Sequence, residues 1–305
     1  MSRNNRVAVI DCGSNTFHLL IAERYDSSLG FREVYRERAF VYLSKSGINE
    51  ISPSSYALGI NTLDRFQQLM IAHKVNLVRC VGTAVLRSSI NGAKFISEVK
   101  ENLRLEIELI DGLEEAALIF NGISLSDLPA GPSLILDIGG GSLELIYGNR
   151  NQAVSAVSVN AGISVLRSLR AEIDLLHQSD HNILYNKLTT ELEPFISELA
   201  MQNPHTLIGA SGPFEIIELM NFCTPLSKGN LFSREDVLEI CKAICTNDLQ
   251  GRINLPGMPE NRADLSTESM IIIKYLLERL NSLRNILVSP YSLKEGVIKE
   301  LLNLD

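Results

Sequence analysis

The chain has 305 residues, 45% of them hydrophobic and 21% charged, which allows two domains with sizeable cores and excludes a disordered or fibrous protein. The formal net charge of −8 argues against a generic nucleic-acid binder, so no nucleic-acid partner is expected; a polyanionic phosphate substrate stays open where basic residues gather locally. Apolar runs stop at strand length, well short of the roughly eighteen residues of a membrane span, so no membrane partner is expected either.

Arg3 and Arg6 precede an apolar run, but Asp11 interrupts it and no cleavage site follows, so a signal peptide is not expected. Arg6–Ile10 reads as a first strand and Leu19–Arg24 as a second, joined by Asp11-Cys12-Gly13-Ser14-Asn15-Thr16-Phe17-His18. Phe31–Tyr42 alternates loosely, which predicts a third strand. Its Arg32, Arg36 and Arg38 either line a wet face or turn toward phosphate. Ser52 caps a helix opened by Pro53 and running to about His73, and strand Leu77–Val81 follows. Gly82-Thr83 then stands at a strand's carboxyl end, where ligands of α/β sheets gather, with Arg87 one turn beyond. That guanidinium either grips a phosphate or caps locally. Asn91–Glu101 reads as a helix and Leu105–Ile110 as a strand. Asp111 and Glu114 form a capping-box pattern at the start of a helix through about Asn121. Glu115 has no such capping duty, and a carboxylate in that first turn can orient a water, which makes it the candidate base.

Ser126–Pro132 is the expected domain boundary. Beyond it, Leu134–Leu136 reads as a buried strand that Asp137 ends; Gly139-Gly140-Gly141 turns the chain, and Leu143–Ile146 returns. Three glycines at a hairpin tip imply positive φ or close approach to another group. Successive N–H groups there make a nest for phosphate oxygens, and the flanking Asp137 and Glu144 imply a bridging divalent cation. Val9–Ala22 aligns without gaps on Ile135–Gly148, with Asp11 on Asp137, Gly13 on Gly139, Thr16 on Ser142 and His18 on Glu144. Two such units half a chain apart are the pattern of the actin, Hsp70 and sugar-kinase superfamily.

Ala153–Val159 reads as a strand and Ile163–Glu172 as a helix. Asp174, His177, Asp180 and His181 have a spacing open to a metal, but the segment is polar and reads more simply as a solvated loop before a helix at Asn186–Met201. Leu207–Gly209 leads into a small-residue turn, Ala210-Ser211-Gly212, ahead of helix Phe214–Met220. Ser233 caps the next helix, in which Cys241 and Cys245 read as small buried hydrophobes. Five cysteines without a framework spacing fit a reducing cytoplasm. Thr267–Leu280 reads as an apolar-striped helix, Asn285–Val288 as a last strand, and a closing helix ends near Leu302.

Together AVIDCGSNTFHLLIA, VGTAVLR, GLEEAALIFNGI, LILDIGGGSLELIYG, IGASG, LPGMPENRAD and SLKEGVI resemble the exopolyphosphatase/guanosine pentaphosphate phosphohydrolase (Ppx/GppA) family, in family order from Val7 to Ile298. The resemblance implies an α/β fold of two actin-like domains, 1–125 and 126–305, facing across a cleft, with a closing helix at about 291–305 that packs back on the first. It implies hydrolysis of a terminal phosphoanhydride assisted by Mg²⁺ or Mn²⁺, with Glu115 as base and Asp137 and Glu144 as metal-side acids, Asp11 joining them. Gly13, Ser14, Asn15, Arg87, Gly139, Gly140, Gly141, Ser142, Ser211 and Gly212 match phosphate-binding positions. The chain departs in reading GASGPF, where many relatives have threonine after the second glycine, and in carrying Lys294 where arginine is common. It corresponds to the family's short form, so a protomer offers fewer subsites for a long chain unless a homodimer supplies more. The expected function is an exopolyphosphatase acting on inorganic polyphosphate. The alternatives are a pppGpp 5′-phosphohydrolase making ppGpp and a sensor of these phosphates without turnover; a sugar or acetate kinase fits the hairpins less well.

Overall fold

The two strand–turn–strand repeats around Asp11 and Asp137 form the centres of two separate mixed sheets. A computed structural model describes residues 6–45, 47–126, 129, 131–172, 174–220 and 230–304. The chain divides into one unit drawn from 1–125, Gly139–Gly141 and 291–305, and another drawn from 126–138 and 142–290. In the expected linker 126–132, Asp127, Leu128 and Ala130 lie outside the described residues.

The first unit opens with β1 (Arg6–Cys12), β2 (Thr16–Arg24) and β3 (Phe31–Phe40). Helix α1 (Pro53–Ala72) begins where Ser52 accepts from the Ser55 amide and Pro53 occupies the first turn. There follow β4 (Leu77–Gly82), α2 (Ala84–Ser88), α3 (Gly92–Leu103), β5 (Ile107–Leu109) and α4 (Gly112–Ile123). The strand order is β3-β2-β1-β4-β5, with β1 antiparallel to β2 and parallel to β4. Val7–Ile10 of β1 is a continuous apolar run, not an alternating one, because both faces are covered. Ala8, Ile10 and Cys12 meet a core with Phe66 of α1 and Phe95 of α3, while Val7 and Val9, of opposite parity, are equally buried on the other side.

The second unit comprises β6 (Ser133–Ile138), β7 (Leu143–Gly148), β8 (Ala153–Val159), α5 (Ile163–Arg167), α6 (Gln178–Gln202), β9 (Thr206–Gly209), α7 (Gly212–Met220), β10 (Asn230–Ser233), α8 (Arg234–Cys245), α9 (Leu249–Ile253), α10 (Glu260–Ala263), α11 (Ser266–Arg279) and β11 (Asn285–Val288). Its order, β10-β11-β9-β6-β7-β8, contains the first sheet's order and strand directions, with β10 added at one edge. Asp11 pairs with His18 across β1–β2, and Asp137 pairs with Glu144 across β6–β7. The gapless alignment of the sequence repeats is therefore also an alignment of hydrogen-bond register.

Several boundaries move for local reasons. Asp137 lies inside β6 and does not end it. The helix expected over 163–172 stops at Arg167, and Arg170 leaves the helical path with its side chain reaching the buried Glu268. The polar stretch before residue 186 is not a loop: α6 starts at Gln178, where His177 is the cap and Asp180 accepts from the His177 amide. Its wet face hid the period of Leu184, Leu188, Leu192 and Leu199, all fully buried.

A last helix, α12 (Leu293–Leu301), groups with the first unit and packs on α4 and β1. The crossing is close because glycine meets backbone on both sides. A Cβ at Gly122 of α4 would lie 1.9 Å from the Ser292 carbonyl oxygen, and one at Gly296 would lie 1.8 Å from that of Leu118. No side chain fits either position without separating the helices.

Candidate active site

In the first unit, the turn between β1 and β2 is closed by the Gly13 amide donating to the Thr16 carbonyl at 3.1 Å. Its next two residues are held from the segment after β3. The amide and hydroxyl of Ser44 donate to the Ser14 carbonyl at 3.0 and 3.3 Å, and the Ser44 hydroxyl also reaches Asn15 Oδ1 at 2.8 Å. The amides of Val41 and Tyr42 donate to the Asn15 carbonyl. Ser14 and Asn15, both expected at phosphate, therefore sit on a braced loop. Gly140, which groups with this unit, comes so near that a Cβ on it would lie 2.7 Å from that of Ser14. Gly139–Gly141 have no positive φ, so close approach is the reason for glycine at the tip.

Helix α4 carries the candidate base. Asp111 Oδ1 accepts from the amides of Leu113 and Glu114 at 2.8 and 2.9 Å, and Glu114 Oε2 accepts from the Asp111 amide at 2.9 Å. Glu114 is thus committed to the cap. Glu115 is buried in the same first turn. Arg87, at the end of α2, donates one Nη to the Ile110 carbonyl, just before that cap. It ties α2 to the start of α4 through one of its five donors, so the local-anchor reading of Arg87 describes part of what it does.

In the second unit, Glu144 is almost fully buried and accepts from Ser158 Oγ of β8 at 2.8 Å. The turn residues expected to touch phosphate brace the hairpin as well. Ser211 Oγ accepts from the Ile138 amide at 2.9 Å, next to Asp137, and the Ala210 amide donates to the Leu136 carbonyl at 3.1 Å. Arg262 donates to the Gly212 carbonyl and pairs with Glu215. Sequence reasoning missed Ser158 and the partners of Arg262. Ser158 was findable once β8 was placed beside β7, because the hairpin register puts it directly opposite Glu144.

The Asp174–His181 cluster is used elsewhere. Asp174 accepts from the Leu249 amide at 2.6 Å, His177 faces Glu172 at 3.2 Å, Asp180 serves the α6 cap, and His181 stacks on Tyr185. Cys241 is buried beside Met270, and burial raises the Cys245 thiol to about 12, as small hydrophobes require. Among the described residues no group of three or more His, Cys, Asp or Glu gathers as a ready metal centre. Asp11, Asp137 and Glu144 are all hard carboxylate donors. Within the second unit, Asp137 and Glu144 stand opposite each other across β6–β7, and a cation such as Mg²⁺, which keeps several waters and takes phosphate oxygens, needs only one or two protein carboxylates.

His18, the counterpart of Glu144, is held neutral. Burial pushes its pKa well below the ordinary value of 6.5, and the charges of Lys294, Arg38 and Arg36 push it further. Thr16 Oγ1 lies 3.0 Å from its Nε2. Because the folded ring resists protonation, its contribution to stability is complete above about pH 6.5 and declines as the unfolded imidazole takes up a proton below that value. His18→Asn should therefore show a smaller fall in Tm than the parent between pH 7.5 and the acid side, at about 5.5. Parallel melting curves at the two pH values check this, and equal falls would assign the acid loss to other groups.

Two sheets of one repeated topology, each with a glycine turn beside an acid, define an α/β protein of the actin-like class. The finer placement comes from comparison. Residues 20–304 match the Ppx/GppA phosphatase family, and the chain belongs to that family. It is similar to the guanosine-5′-triphosphate,3′-diphosphate pyrophosphatase of Vibrio cholerae serotype O1, 24% identical over 96% of this chain and 59% of that protein. The chain thus spans about three fifths of the length of such curated relatives. The crystal structure of an exopolyphosphatase from Cytophaga hutchinsonii superposes with a TM-score of 0.91 at 31% identity, covering 98% of each chain. A Ppx/GppA family member from Aquifex aeolicus shares the fold, with a TM-score of 0.78 at 21% identity over 99% of each chain.

Proposed function

We propose that this protein is an exopolyphosphatase, releasing orthophosphate from the end of inorganic polyphosphate by attack of water on the terminal phosphoanhydride. The observation that carries this reading is Glu115. It is a buried carboxylate in the first turn of α4, beside a neighbour that has already taken the capping role. A sensor needs a phosphate nest but has no use for such an acid.

In the reaction, Glu115 accepts a proton from water as the water oxygen bonds to the terminal phosphorus. The bridging P–O bond breaks, its electron pair leaves with the shortened chain, and the transferred group departs as orthophosphate. Ser14 and Asn15, on the turn that the Gly13 amide closes, and the turn Gly139–Ser142 hold the phosphate oxygens by backbone N–H groups and side chains, with Arg87 adding a positive charge. Ser211 accepts from the Ile138 amide at the end of β6, and Gly212 follows it at the start of α7. Asp137 and Glu144, opposite each other across β6–β7, would hold Mg²⁺ or Mn²⁺, which when bound neutralises charge on the transferring phosphoryl group.

A second reading is hydrolysis of the 5′ γ-phosphate of pppGpp to ppGpp. It is favoured by the name of the Vibrio cholerae relative. The same groups serve both reactions. Orthophosphate release in the presence of Mg²⁺, from long polyphosphate and from pppGpp in parallel, separates them. Faster turnover of polyphosphate supports the first reading and faster turnover of pppGpp replaces it. Binding of either without release would make the protein a sensor. A cytoplasmic enzyme, alone or as a homodimer, is the setting this reading assumes.

A further inference from the structure

The two hairpins each extend into a third strand, and the register continues across it. In the first sheet the row reads Asp11–His18–Arg38; in the second it reads Asp137–Glu144–Ser158. Residues directly opposite on adjacent strands point to the same face with Cβ atoms about 4.5–5.5 Å apart, so each row is a line of neighbouring side chains. In the second row the chemistry is specific. Glu144 is 1% exposed, yet a carboxylate has two oxygens to satisfy and two orientations about its last torsion. Ser158 fixes one of those oxygens by donating to Oε1 at 2.8 Å from a strand whose backbone is itself tied to β7.

We propose that Ser158 is a positioning residue for Glu144, setting which carboxylate oxygen faces the metal and substrate; this rests on the reading of Glu144 as a metal-side acid. A strand suits the task. Its hydroxyl sits on a rigid, paired backbone, and β8 otherwise offers only alanine and valine around two serines, Ser155 and Ser158, of which Ser158 alone is opposite the acid. Removing an outer-shell donor of this kind costs about 10–100-fold in metal affinity or activity.

The test compares Ser158→Ala, Ser158→Thr and Glu144→Gln in the full chain. It reads kcat and KM on inorganic polyphosphate with Mg²⁺, thermal melting, and Mn²⁺ binding by calorimetry in the presence of polyphosphate, the last on a Glu115→Gln background. Ser158→Ala should lower kcat about 10–100-fold and weaken Mn²⁺ by a similar factor, with KM and Tm little changed. Ser158→Thr, which keeps the hydroxyl on a strand-favouring side chain, should restore both readouts to within a few-fold. If Ser158→Ala keeps wild-type kcat while Glu144→Gln is inactive, the positioning role is overturned and the site reading stands. Loss that threonine does not rescue, or loss accompanied by a large fall in Tm, makes Ser158 a packing residue and overturns the proposal. If Glu144→Gln itself retains full activity, the assignment of Glu144 fails and the proposal falls with it.

Discussion

Glu115→Gln is expected to lower kcat on polyphosphate by about 10²–10⁴-fold, the contribution of a positioned general base, while KM stays within a factor of about two. The split follows from geometry. Glutamine keeps the shape of the side chain and leaves the α4 cap, made by Asp111 and Glu114, untouched. What is lost is the ability to accept a proton while the P–O bond forms, a contribution made only in the transition state. The neighbouring substitution is the control. Glu114→Gln removes a charge one residue away but keeps an acceptor for the Asp111 amide, so it should leave kcat nearly unchanged. Steady-state orthophosphate release on the three proteins is sufficient. Near-wild-type turnover in Glu115→Gln would remove Glu115 from the base role.

Arg170→Met is expected to destabilise the protein by about 3–5 kcal/mol, because it removes the hydrogen-bonded countercharge of a buried carboxylate. Arg170 and Glu268 have side chains with no solvent exposure, and Nη1 meets Oε1 at 2.5 Å. Arg170 also donates to the Leu175 carbonyl at 2.9 Å, and Asp180 Oδ2 lies 3.9 Å from its Nε. Arg167 Nη1, at 3.9 Å, is too far to replace the lost guanidinium. The double variant Arg170→Met/Glu268→Leu removes both charges together and should recover most of the loss, since a pair replaced by apolar side chains costs little compared with one member left alone. Urea unfolding of the two variants checks both statements. A double variant no more stable than the single one would mean that Arg170 acts through the Leu175 carbonyl and the loop it holds.

The parts of this molecule legible in its sequence were those dictated by short-range chemistry. The caps at Ser52, Asp111 and Ser233 are where the residue pattern put them, because a side-chain oxygen two or three residues ahead of an open amide is a local arrangement. The repeat around Asp11 and Asp137 was legible for a different reason. A strand register has period two, and a gapless alignment preserves it. What was hidden depended on distant partners. Nothing near Arg170 announces that Glu268, almost a hundred residues on, will draw it out of a helix. The tight α4–α12 crossing needs glycines 174 positions apart to coincide, as the numbers of Gly122 and Gly296 show. At the candidate site, the acids and glycines were readable as residue types. Their supports, Ser44 under Asn15 and Ser158 on Glu144, were not, since one serine in a strand or turn looks like another until its neighbour is known.

The glycine crossing of α4 and α12 also sets an order of events during synthesis. The first unit draws its elements from both sides of the second, so the helix bearing Glu115 leaves the ribosome before the whole of residues 126–290 and must wait for residues 291–302 to receive its packing partner. At about 5–20 residues per second, that wait is on the order of ten to thirty seconds. During it, Gly122 and the face of α4 that receives α12 lack their partner, while the second unit acquires its strands and helices one after another. The nascent protein is thus expected to complete its later half first. Shielding of that one helix by a chaperone would bear on yield more than any aid to the second half.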